Sequence, residues 1–288
     1  MDRLEPLKAG TVVTLDLAHK APFGYFLTDG RQEILMHAND AIEPVDEQAK
    51  QKVFLYQDHQ GRLAATMTIP KIRIGIYDWA PVVSVHKRYG VFVDIGIHKD
   101  ILFSKDDLPE SLDEWPQKGD RLYLSLMLDK KDRLFAKPAN ESIMNVISIP
   151  APESFFNKET EATVYRLMAD GAHFITEDGY LGFIHRRESD RKMRIGRTFH
   201  GRVTGIKDGR ITLSMLPRSF EMIDQHAAGI LEYLRGRGGT MPYTDKSLPE
   251  DIRKHFSISK GDFKKALGKL MKEGKLVQKD GWSYLVEK

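Results

Sequence analysis

The chain has 288 residues, of which 41% are hydrophobic and 30% charged, so it can bury a core and is long enough for two or more domains. It contains no cysteine, which excludes disulfides, thiolate zinc sites and a cysteine nucleophile. The N-terminal stretch MDRLEPLKAG lacks the apolar segment of a signal peptide, and no apolar run approaches the about 18 residues of a membrane helix. We therefore expect a cytoplasmic protein without a membrane partner.

Four strand-like stretches come first along the chain. They are TVVTLDL at 11–17, PFGYFLTDG at 22–30, ILMH at 34–37 and GRLAATM at 61–67. Each is short, contains β-branched or aromatic residues and ends near Gly, Asp, Asn or Pro, which is typical of β-strands. They predict a small all-β module in this part of the chain.

The same order of stretches returns twice. The second copy comprises PVVSVH at 81–86, KRYGVFVDIG at 87–96, ILFS at 101–104 and DRLFAKP at 132–138, and the third comprises ATVYRLM at 162–168, DGAHFITEDG at 170–179, GFIH at 182–185 and GRITLSM at 209–215. His37 precedes Arg62 by 25 residues. His185 precedes Arg210 by the same 25 residues. The chain therefore contains an internal repeat.

The repeat unit has the strand content of a small closed barrel. Four or five short strands without a helical period between them predict a barrel of the OB type, in which closure removes exposed strand edges. Gly24, Gly90 and Gly171 would stand at the sharp bend that such a barrel needs. Three OB-type barrels in tandem are therefore expected.

The stretch KRYGVFVDIG places aromatic rings where polar side chains are expected. Val91, Val93 and Ile95 share one face of the strand, while Phe92 lies on the opposite face and Tyr89 just before it. Exposed aromatic faces can stack on nucleic-acid bases. The alternative is that these rings cover a barrel end or pack against a neighbouring domain. We favour the stacking interpretation because the Tyr/Phe-Gly-x-Phe pattern recurs.

After Pro217 the pattern becomes helical. The predicted helices are MIDQHAAGILEYLRGRGG at 222–239, LPEDIRKHF at 248–256 and a third from 259 to about 273. Ser259 and Asp262 form a capping box at the start of the third helix. A hairpin is expected around Asp280 and Gly281. Three helices and a hairpin predict a winged helix.

Positive charge is concentrated in two segments of the C-terminal half. Residues 186–197 hold six basic side chains against two acids, and residues 259–279 hold seven lysines against two acids. Phosphate contacts are expected from Arg186, Arg187, Arg191 and Lys192 in the first segment and from Lys265, Lys269 and Lys272 in the second. Residues 259–273 contain no Arg, Asn or Gln, which favours phosphate contact or packing over base reading. The acidic stretch at 104–116 is expected to be a solvated loop.

These motifs resemble a known family. VHKRYGVFVDIG, followed by strands such as GFIH and GRITLS, resembles the S-one RNA-binding motif, an OB-fold module. Three such modules and a winged helix resemble the conserved virulence factor B (CvfB) family of bacterial RNA-binding regulators of virulence factor expression. Together with the repeat, the resemblance implies a mainly β chain with a C-terminal α+β module. The expected domains are barrels at 1–68, 69–145 and 146–217 and a winged-helix domain at 218–288.

The resemblance also implies RNA-binding residues. In that family of barrels, bases stack on two exposed aromatics of the glycine-containing strand, beside a histidine and an arginine. The corresponding residues are Phe23, Phe26, His37 and Arg62 in the first copy, Tyr89, Phe92 and Arg133 in the second, and His173, His185 and Arg210 in the third. Ser104 replaces the histidine of the second copy. Asp170 and His173 occupy the aromatic positions of the third copy, which departs from the stacking pattern.

No sequence motif indicates an enzyme. Walker A, GxGxxG, HExxH and GxSxG patterns are missing, and every segment is assigned to a barrel or the winged helix. We expect a non-catalytic post-transcriptional regulator that binds single-stranded RNA and needs no cofactor or metal. One alternative is a DNA-binding transcriptional regulator led by the winged helix. Another is an adaptor that binds proteins of the ribosome or an RNase.

Overall fold

The structure is a computed structural model that describes residues 6–286; residues 1–5 and 287–288, the ends of the first and last predicted domains, lie outside the described part. The chain divides into two units, one up to Met215 and one from Leu216. The first unit contains three closed barrels, and the second contains three helices with a small sheet. The predicted fold class, mainly β with a C-terminal α+β module, is confirmed.

Each barrel orders its five strands in the same way. The first consists of β1 (Val12–Ala21), β2 (Gly24–Thr28), β3 (Glu33–His37), β4 (Gln51–Gln57) and β5 (Leu63–Thr66). The second consists of β6 (Asp78–His86), β7 (Gly90–Val93), β8 (Ile101–Ser104), β9 (Arg121–Leu128) and β10 (Leu134–Pro138). The third consists of β11 (Glu159–Met168), β12 (Gly171–Thr176), β13 (Leu181–His185), β14 (Thr198–Lys207) and β15 (Arg210–Ser214). In every barrel the order around the sheet is first, second, third, fifth and fourth strand, with the third and fifth parallel.

The barrels also share their strand register. The equivalent pairs at the start of the second strand are Gly24 with His37, Gly90 with Ser104, and Gly171 with His185. The third and fifth strands also pair at equivalent residues. The residue on the third strand lies two positions before His37, Ser104 or His185, and its partner on the fifth strand lies two positions after Arg62, Arg133 or Arg210. The repeat deduced from residue spacing is therefore a repeat of backbone geometry.

Only glycine fits at the start of the second strand, because the backbone of the third strand passes close to it. A Cβ on Gly90 would lie 2.1 Å from the backbone oxygen of Phe103, and a Cβ on Gly171 would lie 2.1 Å from that of Ile184. Any larger residue would push the second and third strands apart. The need for glycine thus comes from the close approach of the paired strand.

The barrels of the first unit pack closely on one another. Tyr56 of the first barrel is buried in the same apolar cluster as the core of the second. Arg194 of the third barrel binds Asp120 of the second through two hydrogen bonds, of 2.7 Å and 2.8 Å. Met144, on the linker helix α1 (Glu141–Ile147), is fully buried with aromatic side chains of both barrels.

The acidic segment 104–116 is largely exposed to solvent, as expected from sequence, but part of it also contacts the neighbouring barrel. Trp115 is buried within it. The Lys192 ammonium of the third barrel lies 3.7 Å from a carboxylate oxygen of Asp113 and 3.6 Å from one of Glu114. Sequence did not indicate these ion pairs because the neighbouring barrel supplies counter-charges that are distant in sequence.

The second unit has the winged-helix elements that were predicted. They are α2 (Ser219–Gly236), β16 (Thr240–Met241), α3 (Pro249–Phe256), α4 (Lys260–Lys272), β17 (Leu276–Lys279) and β18 (Trp282–Leu285), with sheet order β16-β18-β17. The Ser259 hydroxyl accepts the Asp262 backbone N–H at 3.1 Å, which confirms the cap of α4. Asp280 and Gly281 have φ of 51° and 80°, as expected for a two-residue hairpin turn.

Candidate nucleic-acid interface

The ring of Phe92 lies on the outside of the second barrel. Its neighbours Val91 and Val93 are fully buried, whereas Phe92 is only partly buried. The His86 ring packs edge-on against it with ring centres 5.3 Å apart. The Phe92 ring is therefore partly accessible from outside the barrel.

A cleft of about 460 Å³ lies on the same barrel. Tyr89, Arg88, Arg133 and Phe135 contribute to its lining, and Tyr89 is 52% exposed. The Arg88 guanidinium carbon lies 5.4 Å from the centre of the Tyr89 ring, and that of Arg133 lies 5.4 Å from the centre of the Phe135 ring. The cleft thus combines aromatic faces with cations, which suits a nucleotide.

Arg133 is held in place by Asp129. Its Nε donates to the Asp129 carboxylate at 2.8 Å, and a terminal nitrogen lies 2.7 Å from the same oxygen. The hydrogen bond from Arg133, followed by backbone N–H groups, lowers the pKa of Asp129 to about 2. Asp58 holds Arg62 in the first barrel at the same two distances, 2.8 Å and 2.7 Å.

The four residues predicted in the first barrel lie in two places. Phe26 stacks on His19 with ring centres 4.6 Å apart and planes inclined by 14°. Phe23 meets Phe26 edge-on at 6.2 Å and is 49% exposed. His37 and Arg62 instead line a separate cleft of about 370 Å³, to which the two phenylalanines do not contribute.

Side chains of the second barrel enter this first-barrel cleft. The His98 Nδ1 lies 3.0 Å from the Asp40 carboxylate, which also accepts the Tyr56 hydroxyl at 3.0 Å. The Lys99 ammonium donates to the Gln57 carbonyl at 2.5 Å, and burial lowers the pKa of Lys99. Sequence reasoning missed both residues because nothing in their own segment indicates a contact with another repeat.

The histidine position has the same structural role in all three copies. His37 Nδ1 accepts the Asn39 backbone N–H at 3.4 Å, and His185 Nδ1 accepts that of Arg187 at 3.1 Å. Ser104 does the same with its hydroxyl at 3.3 Å. Each caps the turn of 3-10 helix that follows the third strand. Serine therefore replaces histidine without loss of the cap.

The predicted residues of the third barrel are surrounded by other side chains. His173 lies near Tyr165 and Phe183, with ring centres 6.1 Å and 5.2 Å away. Burial lowers the pKa of His173, which favours the neutral imidazole. Arg210 lies 3.2 Å from the carboxylate of Glu141 on α1. At the two stacking positions of this barrel, Asp170 and His173 therefore offer no phenyl or phenol ring to a base.

The basic segment of the third barrel divides into paired and unpaired side chains. Arg186, Arg191 and Lys192 line a cleft of about 790 Å³. Arg191 lies 3.4 Å from Asp190, and Lys192 is already close to the acidic segment of the second barrel. Within residues 6–286, the side chains of Arg186 and Arg187 form no ion pair. They are the basic groups of this segment that remain available to phosphate.

The lysines of α4 that were predicted to contact phosphate also differ in whether they form ion pairs. Lys265 lies 3.6 Å from Asp262. Lys269 contacts Asp224 and lies 3.6 Å from Glu273. Lys272 is exposed and has no ion pair in the described part of the chain. Lys272 is therefore the predicted lysine of this helix best placed for an external phosphate.

Three exposed or cleft-lining residues were missed although local signals were present. Arg88 adjoins Tyr89 in KRYG, and Phe135 follows Arg133 by two positions on a strand, so both share a surface with a predicted residue. Trp282 on the hairpin of the second unit is 44% exposed. An aromatic directly after the Asp-Gly turn could have marked it.

Within residues 6–286, no helix combines the length and apolar character needed to cross a bilayer. No group of three or more His, Asp or Glu side chains in that range is placed to hold a metal ion.

Family models match all four parts of the chain. Residues 9–68 match the S1 domain, and residues 77–137 match the CvfB first S1-like domain. Residues 144–217 match the second domain of the virulence regulatory factor CvfB, and residues 228–285 match the CvfB-like winged helix domain. These are types of nucleic-acid-binding domain and not enzyme families. Fold and site thus define a nucleic-acid-binding architecture of S1-type barrels and a winged helix.

Relatives cover nearly the whole chain. The chain is 46% identical to the uncharacterized protein YitL of Bacillus subtilis, over 97% of this chain and 94% of that protein. It is 33% identical to conserved virulence factor B of Staphylococcus aureus, over 88% and 86%. A crystal structure of a multidomain protein with nucleic acid binding domains from Streptococcus pneumoniae aligns with a TM-score of 0.67 at 36% identity, over 96% and 98%. The chain belongs to the conserved virulence factor B family.

Proposed function

We propose that the protein is a non-catalytic, cytoplasmic post-transcriptional regulator that binds single-stranded RNA. The observation that carries this proposal is the surface of the second barrel, where Phe92 faces outward and a cleft joins Tyr89, Phe135 and Arg133. Each stacked base would contribute about 1–3 kcal/mol, and the arginine would add charge and cation–π attraction.

The exposed rings favour a single strand over a duplex. Bases in a duplex are stacked on one another, so their faces cannot reach Phe92 or Tyr89 without unpairing. The first barrel adds a second stacked surface, formed by Phe26 on His19. The nucleic-acid-binding domains that name the Streptococcus pneumoniae relative are consistent with this role.

A second candidate is duplex DNA bound through the winged helix. Lys272 on α4 and Trp282 on the hairpin are both exposed, which favours an external ligand for this unit. The lack of Arg, Asn and Gln in α4 favours phosphate over base edges for that contact, because those side chains carry much of the bidentate base readout.

The decisive experiment compares three ligands of one sequence and length. Binding of the full chain to single-stranded RNA, single-stranded DNA and duplex DNA would be measured by fluorescence anisotropy at two salt concentrations. We expect the tightest binding to single-stranded RNA. Tighter binding to duplex DNA at both salt concentrations would support the winged-helix regulator instead.

A further inference from the structure

The shared register gives the second and third barrels an arginine at the same backbone position. In each, the third and fifth strands pair in parallel, and an arginine stands two residues before a paired residue of the fifth strand. These arginines are Arg133 in the second barrel and Arg210 in the third. The same backbone position therefore allows the surroundings of the two guanidinium groups to be compared directly.

The second barrel leaves its groove open. The side chains that line the cleft around Arg133 all belong to residues 88–135 of that barrel. Asp129, in the turn before Arg133, orients the guanidinium from the side at 2.8 Å. No residue of the linker or of another barrel lines this cleft within the described part of the chain.

The linker helix α1 occupies the equivalent place in the third barrel. Both terminal nitrogens of Arg210 donate to one carboxylate oxygen of Glu141 at 3.2 Å, and one also donates to the Asn145 side-chain oxygen at 2.6 Å. The other Glu141 oxygen accepts the Tyr165 hydroxyl at 2.9 Å. Arg166 lies 3.9 Å from that oxygen.

The Glu141 carboxylate is ionised where it binds Arg210. Burial alone would raise its pKa, but the hydrogen bonds from Tyr165 and Arg210 outweigh burial and lower the pKa below the usual range. Met144, one turn further along α1, is fully buried and anchors the helix. Arg210 thus already binds an anion of the chain itself, on a helix that is held by an apolar contact.

We propose that the second barrel carries the open base-binding groove of this chain and that α1 fills the third-barrel groove, with Glu141 as an internal anion in place of a nucleic-acid phosphate. This inference rests on the proposed function. It assigns the two barrels different roles in spite of their common backbone: the second binds an external ligand, and the third binds the chain's own linker.

The matched arginines provide the test. Arg133→Gln and Arg210→Gln remove the same charge from equivalent positions, and the affinity of each full-length variant for single-stranded RNA is measured across a salt series. We expect Arg133→Gln to weaken binding about tenfold, as for a lost charged hydrogen bond, and to flatten the salt slope by less than about 0.7, because Asp129 already neutralises part of this charge. Arg210→Gln should change affinity by less than about twofold, as an ordinary surface substitution does.

A thermal melt of each variant separates binding from folding. Arg210→Gln should lower the melting temperature because it breaks the contacts with Glu141 and Asn145, whereas its RNA affinity below the transition should be unchanged. Equal losses of RNA affinity in the two variants would overturn the inference while leaving RNA binding itself established. If the unchanged chain bound no single-stranded RNA, the proposed function would fail and this inference with it.

Discussion

The second and third barrels share strand order and register but differ in what covers them. In the second, Phe92 and Tyr89 stand outside the core, and Arg133 faces an open cleft. In the third, His173 contacts the rings of Tyr165 and Phe183, and Arg210 is bound by the linker helix. Backbone geometry thus decides which positions point outward, and neighbouring segments decide whether those positions can bind a ligand.

The same distinction applies to charge. Residues 186–197 contain six basic side chains, yet Lys192 and Arg194 are directed toward acids of the second barrel. A count of charges in a segment therefore overestimates the charge that is available to a phosphate. Pairing across the barrel interface accounts for the difference.

The largest effect on RNA affinity is expected for Phe92→Ala in the second barrel. It is compared with His173→Ala, which changes the equivalent position of the third barrel. Phe92→Ala should weaken binding of single-stranded RNA by about 1–3 kcal/mol, because a stacked ring is lost. Its salt slope should not change, since the ring carries no charge. His173→Ala should change the affinity by less than about 0.5 kcal/mol. Dissociation constants across a salt series provide both quantities.

Stability measurements control that comparison. Truncation of a core ring costs about 3–5 kcal/mol, so Phe103→Ala, at a site only 2% exposed, should lower the melting temperature strongly. Phe92→Ala should lower it much less because one side of the ring is outside the core. A large loss of stability with unchanged RNA affinity would show that Phe92 serves packing and not stacking.

A second prediction concerns the linker helix and pH. Glu141→Gln should reduce the free energy of unfolding of the first unit by about 1 kcal/mol at pH 7, a value discounted because the carboxylate is partly exposed. The pKa of Glu141 is lowered from its usual 4.5, so the native state holds this group ionised more strongly than the unfolded state. Its contribution is therefore complete above pH 4.5 and is lost as pH falls through the lowered pKa.

Calorimetric melting of the unchanged chain and Glu141→Gln from pH 7 to pH 3 measures this difference. The difference in free energy of unfolding between the unchanged chain and Glu141→Gln should be constant down to about pH 5 and should shrink below that pH. Asp129→Asn is the matched comparison in the second barrel, where the acid is partly exposed and orients Arg133 from the side. A gap that stayed constant to pH 3 would mean that the Glu141 charge is not what stabilises the native state.

Sequence predicted the fold well because its signals are local. The glycine strand, the 25-residue spacings and the Ser259 cap each depend on neighbouring residues along the chain, and they were sufficient for the barrels and the winged helix. The surroundings of the site depend on contacts between distant segments. Glu141 lies 69 residues before Arg210, and Lys99 contacts a carbonyl 42 residues before it. No periodicity within either segment indicates such a contact.

The smallest expected effect tests whether available charge, rather than total charge, governs RNA binding. The double change Arg186→Gln with Arg187→Gln should flatten the salt slope for single-stranded RNA by about 0.7 for each arginine that contacts a phosphate. Lys192→Gln, in the same segment, should leave the slope unchanged because Asp113 and Glu114 already neutralise that ammonium. Binding isotherms at four or more salt concentrations give the slopes, and melting curves confirm that each variant is folded. The contrary result would be a salt slope that Lys192→Gln flattens as much as the loss of one arginine does. It would show that Lys192 leaves Asp113 and Glu114 to contact the RNA, and that the total number of basic residues determines the slope.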